Sequence, residues 1–85
     1  MEHNQTIIIS NRESIRIDGI IGVLAFNEDF VSLDSESARI NVEGKNLKII
    51  ELSKEKGEIH ILGTINGVYY TEHRGLKIKK IKNNA

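Results

Sequence analysis

An all-β fold, a small antiparallel meander or rolled sheet of about six to eight short strands, is what this 85-residue sequence predicts. Three observations carry the prediction. The pattern Ile-x-Ile/Val-x-Gly occurs as Ile15-x-Ile17-x-Gly19, Ile40-x-Val42-x-Gly44 and Ile59-x-Ile61-x-Gly63. Turn-forming clusters punctuate the chain at roughly 8–12-residue spacing. No window of about 11 residues carries a helical apolar stripe. The thrice-repeated pattern admits a short β-solenoid as the alternative. The unequal intervals, Ile15 to Ile40 against Ile40 to Ile59, favour the meander.

The polar residues 1–5 are expected to be a flexible N-terminus, with a single β domain over 6–81 and a flexible end over 82–85. Thr6 to Ser10 is β-branched and reads as a strand, and Asn11-Arg12-Glu13 as its turn. Ser14 to Asp18 alternates Ile15 and Ile17 with Arg16 and Asp18, giving one buried and one wet face. Ile20 to Phe26 is apolar on both parities, so it is either covered on both faces or placed at a partner surface. Phe26-Asn27-Glu28-Asp29-Phe30 reads as a hairpin with a three-residue loop. Ser35-Glu36-Ser37 is the next turn. Ala38, Ile40 and Val42 then share a face, and Gly44-Lys45 is expected to end that strand.

The parity of Leu47 and Ile49 breaks at Ile50 and Leu52, which one inserted residue, a β-bulge near Ile49-Ile50, would explain. Ser53 to Gly57 is a charged loop. Glu58 to Thr64 is a strand, and Asn66-Gly67 is the strongest hairpin signal in the chain. Val68 to Thr71 is expected to return from that turn. His73-Arg74-Gly75 is a further turn before Leu76 and Ile78. The expected core is Ile17, Val42, Ile49, Ile59 and Ile61.

Composition narrows the function classes. There is no Cys, which excludes disulfides and thiolate metal sites. Lys plus Arg balance Asp plus Glu, 12 against 12, so global charge argues neither for nucleic acid nor for an anionic membrane. The apolar runs are too short for a membrane-spanning helix, so an integral membrane protein is not expected. The start MEHNQT lacks a signal-peptide pattern, which makes a cytoplasmic protein the expectation.

The search for chemistry finds no reaction centre. His3, His60 and His73 are scattered without metal-ligand spacing. Glu28, Asp29 and Glu36 fall in turns, where carboxylates are ordinary. The glycines form no phosphate loop. No enzyme activity, cofactor, metal or small-molecule substrate is therefore expected. Two binding features stand out. Leu24, Phe26 and Tyr69 are candidates for a self-association interface, most simply in a homodimer, because apolar groups on both parities need cover. Lys77, Lys79, Lys80 and Lys82 form a basic patch. With Tyr69 and Tyr70 it is the basis of an alternative reading as a small nucleic-acid-binding β domain. Lys on a last strand also serves to block edge aggregation, and the two tyrosines should lie on opposite faces.

Taken in order, the motifs are Asn11-Arg12-x-x-Ile15-x-Ile17-x-Gly19-Ile20, Phe26-Asn27-Glu28-Asp29-x-Val31-x-Leu33, Ile40-x-Val42-x-Gly44-x-x-Leu47-x-Ile49-x-x-Leu52 and Gly57-Glu58-Ile59-x-Ile61-x-Gly63-x-Ile65-x-x-Val68-x-Tyr70. In this order and spacing the chain resembles the YabP/YqfC family of sporulation proteins over residues 11–70. The resemblance implies a non-enzymatic role in building the endospore, from the mother-cell compartment, alongside a sporulation protein partner. The basic segment after Tyr70 departs from these motifs.

Overall fold

The computed structural model describes residues 5–72. Six strands follow in chain order: β1 (Ile7–Ser10), β2 (Ser14–Ile17), β3 (Ile20–Phe26), β4 (Phe30–Ser35), β5 (Arg39–Ser53) and β6 (Glu58–Thr71). They form one open sheet in the order β1-β2-β6-β5-β4-β3. Every neighbouring pair is antiparallel, which sets aside the solenoid alternative. The turn at His73-Arg74-Gly75, the strand at Leu76 and Ile78, and both chain ends beyond 5 and 72 lie outside the described residues.

The sheet is built on β5 and β6, which pair from Arg39↔Thr71 to Ser53↔Glu58. At one end of this long hairpin β6 pairs with β2, at Ser14↔Leu62 through Ile17↔Ile59. At the other end β5 pairs with β4, at Phe30↔Glu43 through Asp34↔Arg39. The inward rows of both ends meet in one cluster. Ile15, Ile17, Ile59 and Ile61 come from the first end, and Val31, Leu33, Ile40 and Val42 from the second. All eight are at most 1% exposed. A flat sheet could not cover such a row, so the sheet is bent until its two ends face each other. The bend also brings the N–H of Ile20, where β3 begins, to the Gly57 carbonyl at the tip of the β5–β6 hairpin, over 3.0 Å.

The bend is where the sequence misleads most. Gly44-Lys45 does not end a strand, because β5 continues through to Ser53. Asn66-Gly67 is not a hairpin turn, because β6 runs unbroken from Glu58 to Thr71. Four expected short strands are thus two long ones, each bent at its glycine. A Cβ on Gly44 would sit 1.9 Å from the Thr64 carbonyl oxygen, and one on Gly63 2.7 Å from that of Asn46. The two backbones cross here at a distance only glycine permits. The register shifts around this crossing, from Glu43↔Gly67 to Gly44↔Ile65, with Asn66 as the extra residue of a bulge.

The tight turn falls instead at Asn11 and Arg12, both with positive φ, 51° and 54°. The Glu13 N–H closes it by donating to the Ser10 carbonyl at 2.8 Å. This turn then latches onto the bend. Arg12 Nε donates to the Ile65 carbonyl at 3.1 Å, and Arg12 Nη2 to Asn66 Oδ1 at 2.6 Å. Asn66 therefore serves as an acceptor for a turn elsewhere in the chain.

Other local readings match the structure. Asn27 Oδ1 accepts from the N–H groups of Asp29 and Phe30, closing the three-residue loop between β3 and β4. The register shift between Ile49 and Glu51 leaves Ile50 as the extra residue of a bulge. Of the expected core, Ile17, Val42, Ile59 and Ile61 are buried, and Ile49 is partly buried against the cluster.

Candidate self-association surface

The bend covers the inner face within one chain, and the exposed apolar side chains that remain lie partly on the central strands, at Ile50, Leu52, Leu62, Tyr69 and Tyr70, and partly at the edges of the sheet. Among the described residues β3 is an edge strand, paired only with β4. Its sequence, Ile-Ile-Gly-Val-Leu-Ala-Phe, carries no charge. Ile21 is 63% exposed, Leu24 48% and Phe26 64%. Two register shifts against β4 make Ile21 and Leu24 the extra residues of two bulges. Each bulge turns a large aliphatic side chain out of the regular ladder. Between them Gly22 leaves an open space, since a Cβ there would meet no atom within 4 Å.

The structure brings Leu24 and Phe26 together on this strand but separates them from Tyr69. Phe26 pairs with Val31, Val31 with Val42 and Val42 with Val68, which is the inward-facing row. Tyr69 belongs to the neighbouring outward row with Asn41, Ser32 and Ala25. It also lies three strand spacings in from the edge, about 14 Å. A contact made along β3 therefore contains Leu24 and Phe26, with Ile21 in the place of Tyr69. Sequence parity alone could not show this, because two bulges shift the count.

Tyr69 lines a shallow outward groove of about 520 Å³ with Asp29, Phe30, Asn41, Glu43, Gly44 and Asn66. The Glu43 carboxylate charge holds the Tyr69 phenol above its ordinary value of 10.0, and desolvation and a hydrogen bond to the same carboxylate act in the same direction. Folding thus disfavours the phenolate. The contribution is intact below pH 10.0 and is lost as pH rises through the higher folded value. In a Tyr70→Phe background, Glu43→Gln is expected to lower the midpoint of the phenolate absorbance titration. An unmoved midpoint would remove Glu43 as the cause.

This groove is a poor seat for nucleic acid. Asp29 and Glu43 would face the phosphates, and Tyr69 and Tyr70 sit on opposite faces, paired with Asn41 and Ile40. Lys77, Lys79, Lys80 and Lys82 lie outside the described residues, as do His3 and His73. His60 pairs with Arg16 on one side and Glu51 on the other, on the outward face. Among the described residues no group of three or more His, Asp or Glu side chains could hold a metal ion. Among them, too, no helix is long and apolar enough to cross a membrane.

The model of the YabP family matches residues 1–82. The match extends past the motifs of residues 11–70 at both ends and takes in the basic segment through Lys82. No curated protein matches the chain.

Proposed function

The chain belongs to the YabP family, and from that premise we propose that it is a non-enzymatic structural or protein-interaction module of endospore formation, acting as a homodimer joined through β3. The family supplies the sporulation context. The observation that carries the mode of action is the uncharged, bulged edge with Ile21, Leu24 and Phe26 exposed. An edge of this composition is an association site unless something covers it.

A second copy fits the edge by shape. In a twofold antiparallel contact centred on Val23, Gly22 of one copy faces Leu24 of the other, and Ile21 faces Ala25. Small residues then lie opposite large ones, and the space beside Gly22 receives an aliphatic side chain. The bulges shorten the regular backbone ladder on the free side, so side chains carry most of the contact. A cytoplasmic site of action, in the mother cell, and a sporulation protein as further partner complete the proposal.

Light scattering at low micromolar concentration is expected to give twice the 9.6 kDa chain mass. Leu24→Lys should return it to the single-chain value, because burying an unpaired ammonium opposes closure. Spore-forming cells carrying Leu24→Lys should then lose spores as a deletion does. A wild-type protein of single-chain mass, or normal spores from a Leu24→Lys strain with a monomeric product, would overturn the proposal.

A further inference from the structure

The even balance of charge over the whole chain hides a separation along it. Residues 5–72 carry eleven Asp and Glu against seven Lys and Arg. After Glu72 the sequence holds Arg74, Lys77, Lys79, Lys80 and Lys82 and no Asp or Glu. An acidic sheet is thus followed by a basic segment, and each is the counter-charge of the other. The hollows of the sheet differ in how far their own charges cancel. The one lined by Glu36 and Glu55 also holds Lys54 and Lys56, and the one lined by Glu51 and Glu58 also holds Arg16. The Tyr69 groove holds Asp29 and Glu43 and no Lys or Arg. Arg12 reaches Asn66 at its rim, but that guanidinium is taken up by Asn66 Oδ1 and the Ile65 carbonyl. Among the described residues no Lys or Arg pairs with either carboxylate.

We propose that the Tyr69 groove is the seat of this chain's own basic segment, residues 74–82, which turns back from the end of β6 and brings its lysines to Asp29 and Glu43. The place where the described chain ends supports this. β6 finishes at Thr71, opposite Arg39, only two residues beyond Tyr69 in the groove wall. Asn41, another groove residue, ties that end down, since its Nδ2 donates to Thr71 Oγ1 at 3.1 Å and to the Tyr69 carbonyl at 3.4 Å. From Thr71 back to the level of Glu43, which pairs with Gly67, is a run of about 13 Å along the strand. The five residues from Glu72 to Lys77 span up to about 17 Å. Lys77 and the lysines after it therefore reach the groove, and Gly75 is placed to reverse the chain.

The lining suits a Lys in particular. Phe30 and Tyr69 offer ring surface to its aliphatic stem and to its ammonium, while Asp29 and Glu43 supply the opposite charge. The Glu43 carboxylate that disfavours the Tyr69 phenolate is the same uncompensated charge a cation would neutralise. The tether decides between this segment and a separate basic peptide. It holds the lysines beside the groove at an effective concentration of about millimolar, which a free peptide has to match. The contact uses the outward face and needs no second copy, so it stands apart from the pairing of β3.

Because the chain has no Cys, Asn83→Cys places a nitroxide at one known position beyond the lysines. Amide spectra of the full labelled chain then read where the segment lies. The signals of Phe30, Asn41, Gly44 and Tyr69 should lose most of their intensity, and high salt should restore it, since the contact is ionic and exposed. Asp29→Asn with Glu43→Gln should restore it at low salt. The control, Glu51→Gln with Glu58→Gln, removes the same number of charges elsewhere on the sheet and should leave the loss in place. Unchanged thermal unfolding midpoints show that both double variants fold. If the first one fails that check, Lys77, Lys79 and Lys80 changed together to Gln remove the same contact from the other side. A segment that is only tethered would broaden Thr71 and its partner Arg39 most and Gly44 least, and that pattern overturns the proposal. Equal restoration by the two double variants also overturns it, because it would mean attraction to the whole acidic sheet and no particular seat. Equal loss in a mixture of isotope-labelled chains with separate nitroxide-carrying chains would place the segment in the groove of another copy, and overturns it as well.

Discussion

Gly44→Ala is expected to cost at least about 3 kcal/mol, the upper part of the range for overpacking a filled interior. The reason lies in what the new methyl meets. It would fall 1.9 Å from the Thr64 carbonyl oxygen and 3.0 Å from the Leu47 side chain. A flexible side chain could swing away, but a carbonyl in the β5–β6 ladder can move only with its strand. Gly63→Ala adds a conformational cost to the steric one, since Gly63 has φ 138° and its Cβ would approach the carbonyl oxygens of Asn46 and Lys45. For a domain of this size the whole stability is about 4–13 kcal/mol, so either change removes a large share of it. Gly67→Ala supplies the control. It is the same chemical change on β6, the strand of Gly63 and the partner of the strand of Gly44, at a position where a Cβ meets nothing within 4 Å and φ is not positive. Urea unfolding of the three variants measures the difference. If Gly44→Ala and Gly67→Ala shift the midpoint alike, the crossing is not tight.

The second large effect is expected at Ile61, where Ile61→Ala should cost about 2–5 kcal/mol. Ile61 is fully buried and is flanked across the sheet by Ile15 on β2 and Ile49 on β5. Removing its branched side chain opens a cavity between two strands that the crossing already holds in place, so little collapse can fill it. Leu62, the next residue, points outward and is 40% exposed. Leu62→Ala should stay within about 0.5 kcal/mol of wild type. Chemical denaturation with an unchanged m-value reads the difference directly. Equal losses at the two positions would mean that the inward and outward faces of β6 are exchanged.

Local features were legible in the sequence where one residue type answers to one local demand. Asn27 could be assigned to its loop because its side chain caps that loop's own backbone. The bulge at Ile50 could be read because alternation that changes face within a strand calls for one inserted residue. The inward set of Ile17, Val42, Ile59 and Ile61 followed from alternation alone. What failed were the positions where glycine or asparagine meets a demand from elsewhere in the chain. Gly44 and Gly63 look like strand ends, yet they are small because another backbone passes over them. Asn66 looks like the first residue of a turn, yet it holds Arg12, a residue far away in sequence. The candidate interface shows the same limit. The apolar character of Ile20 to Phe26 was evident, but two bulges decide which of its side chains are free. Neither their presence nor the distance from Phe26 to Tyr69 is written in local alternation.

The strand order also sets a timetable. Beyond its hairpin neighbour β1, β2 finds its other partner in β6, with Ser14 against Leu62 and Ile17 against Ile59. When the ribosome has released β1 and β2, most of the chain that will cover them does not yet exist. At about 5–20 residues per second the wait lasts several seconds. During that time Ile15 and Ile17, which end fully buried, have only water and the neighbouring hairpin strand for company. The β5–β6 hairpin has no such delay, since its two strands are consecutive. The pairing of β2 with β6 must therefore wait for the C-terminal hairpin, a non-local contact of the kind that closes slowly. For a nascent polypeptide whose outermost described strands also carry no charge, this interval is the period of greatest exposure to misassembly.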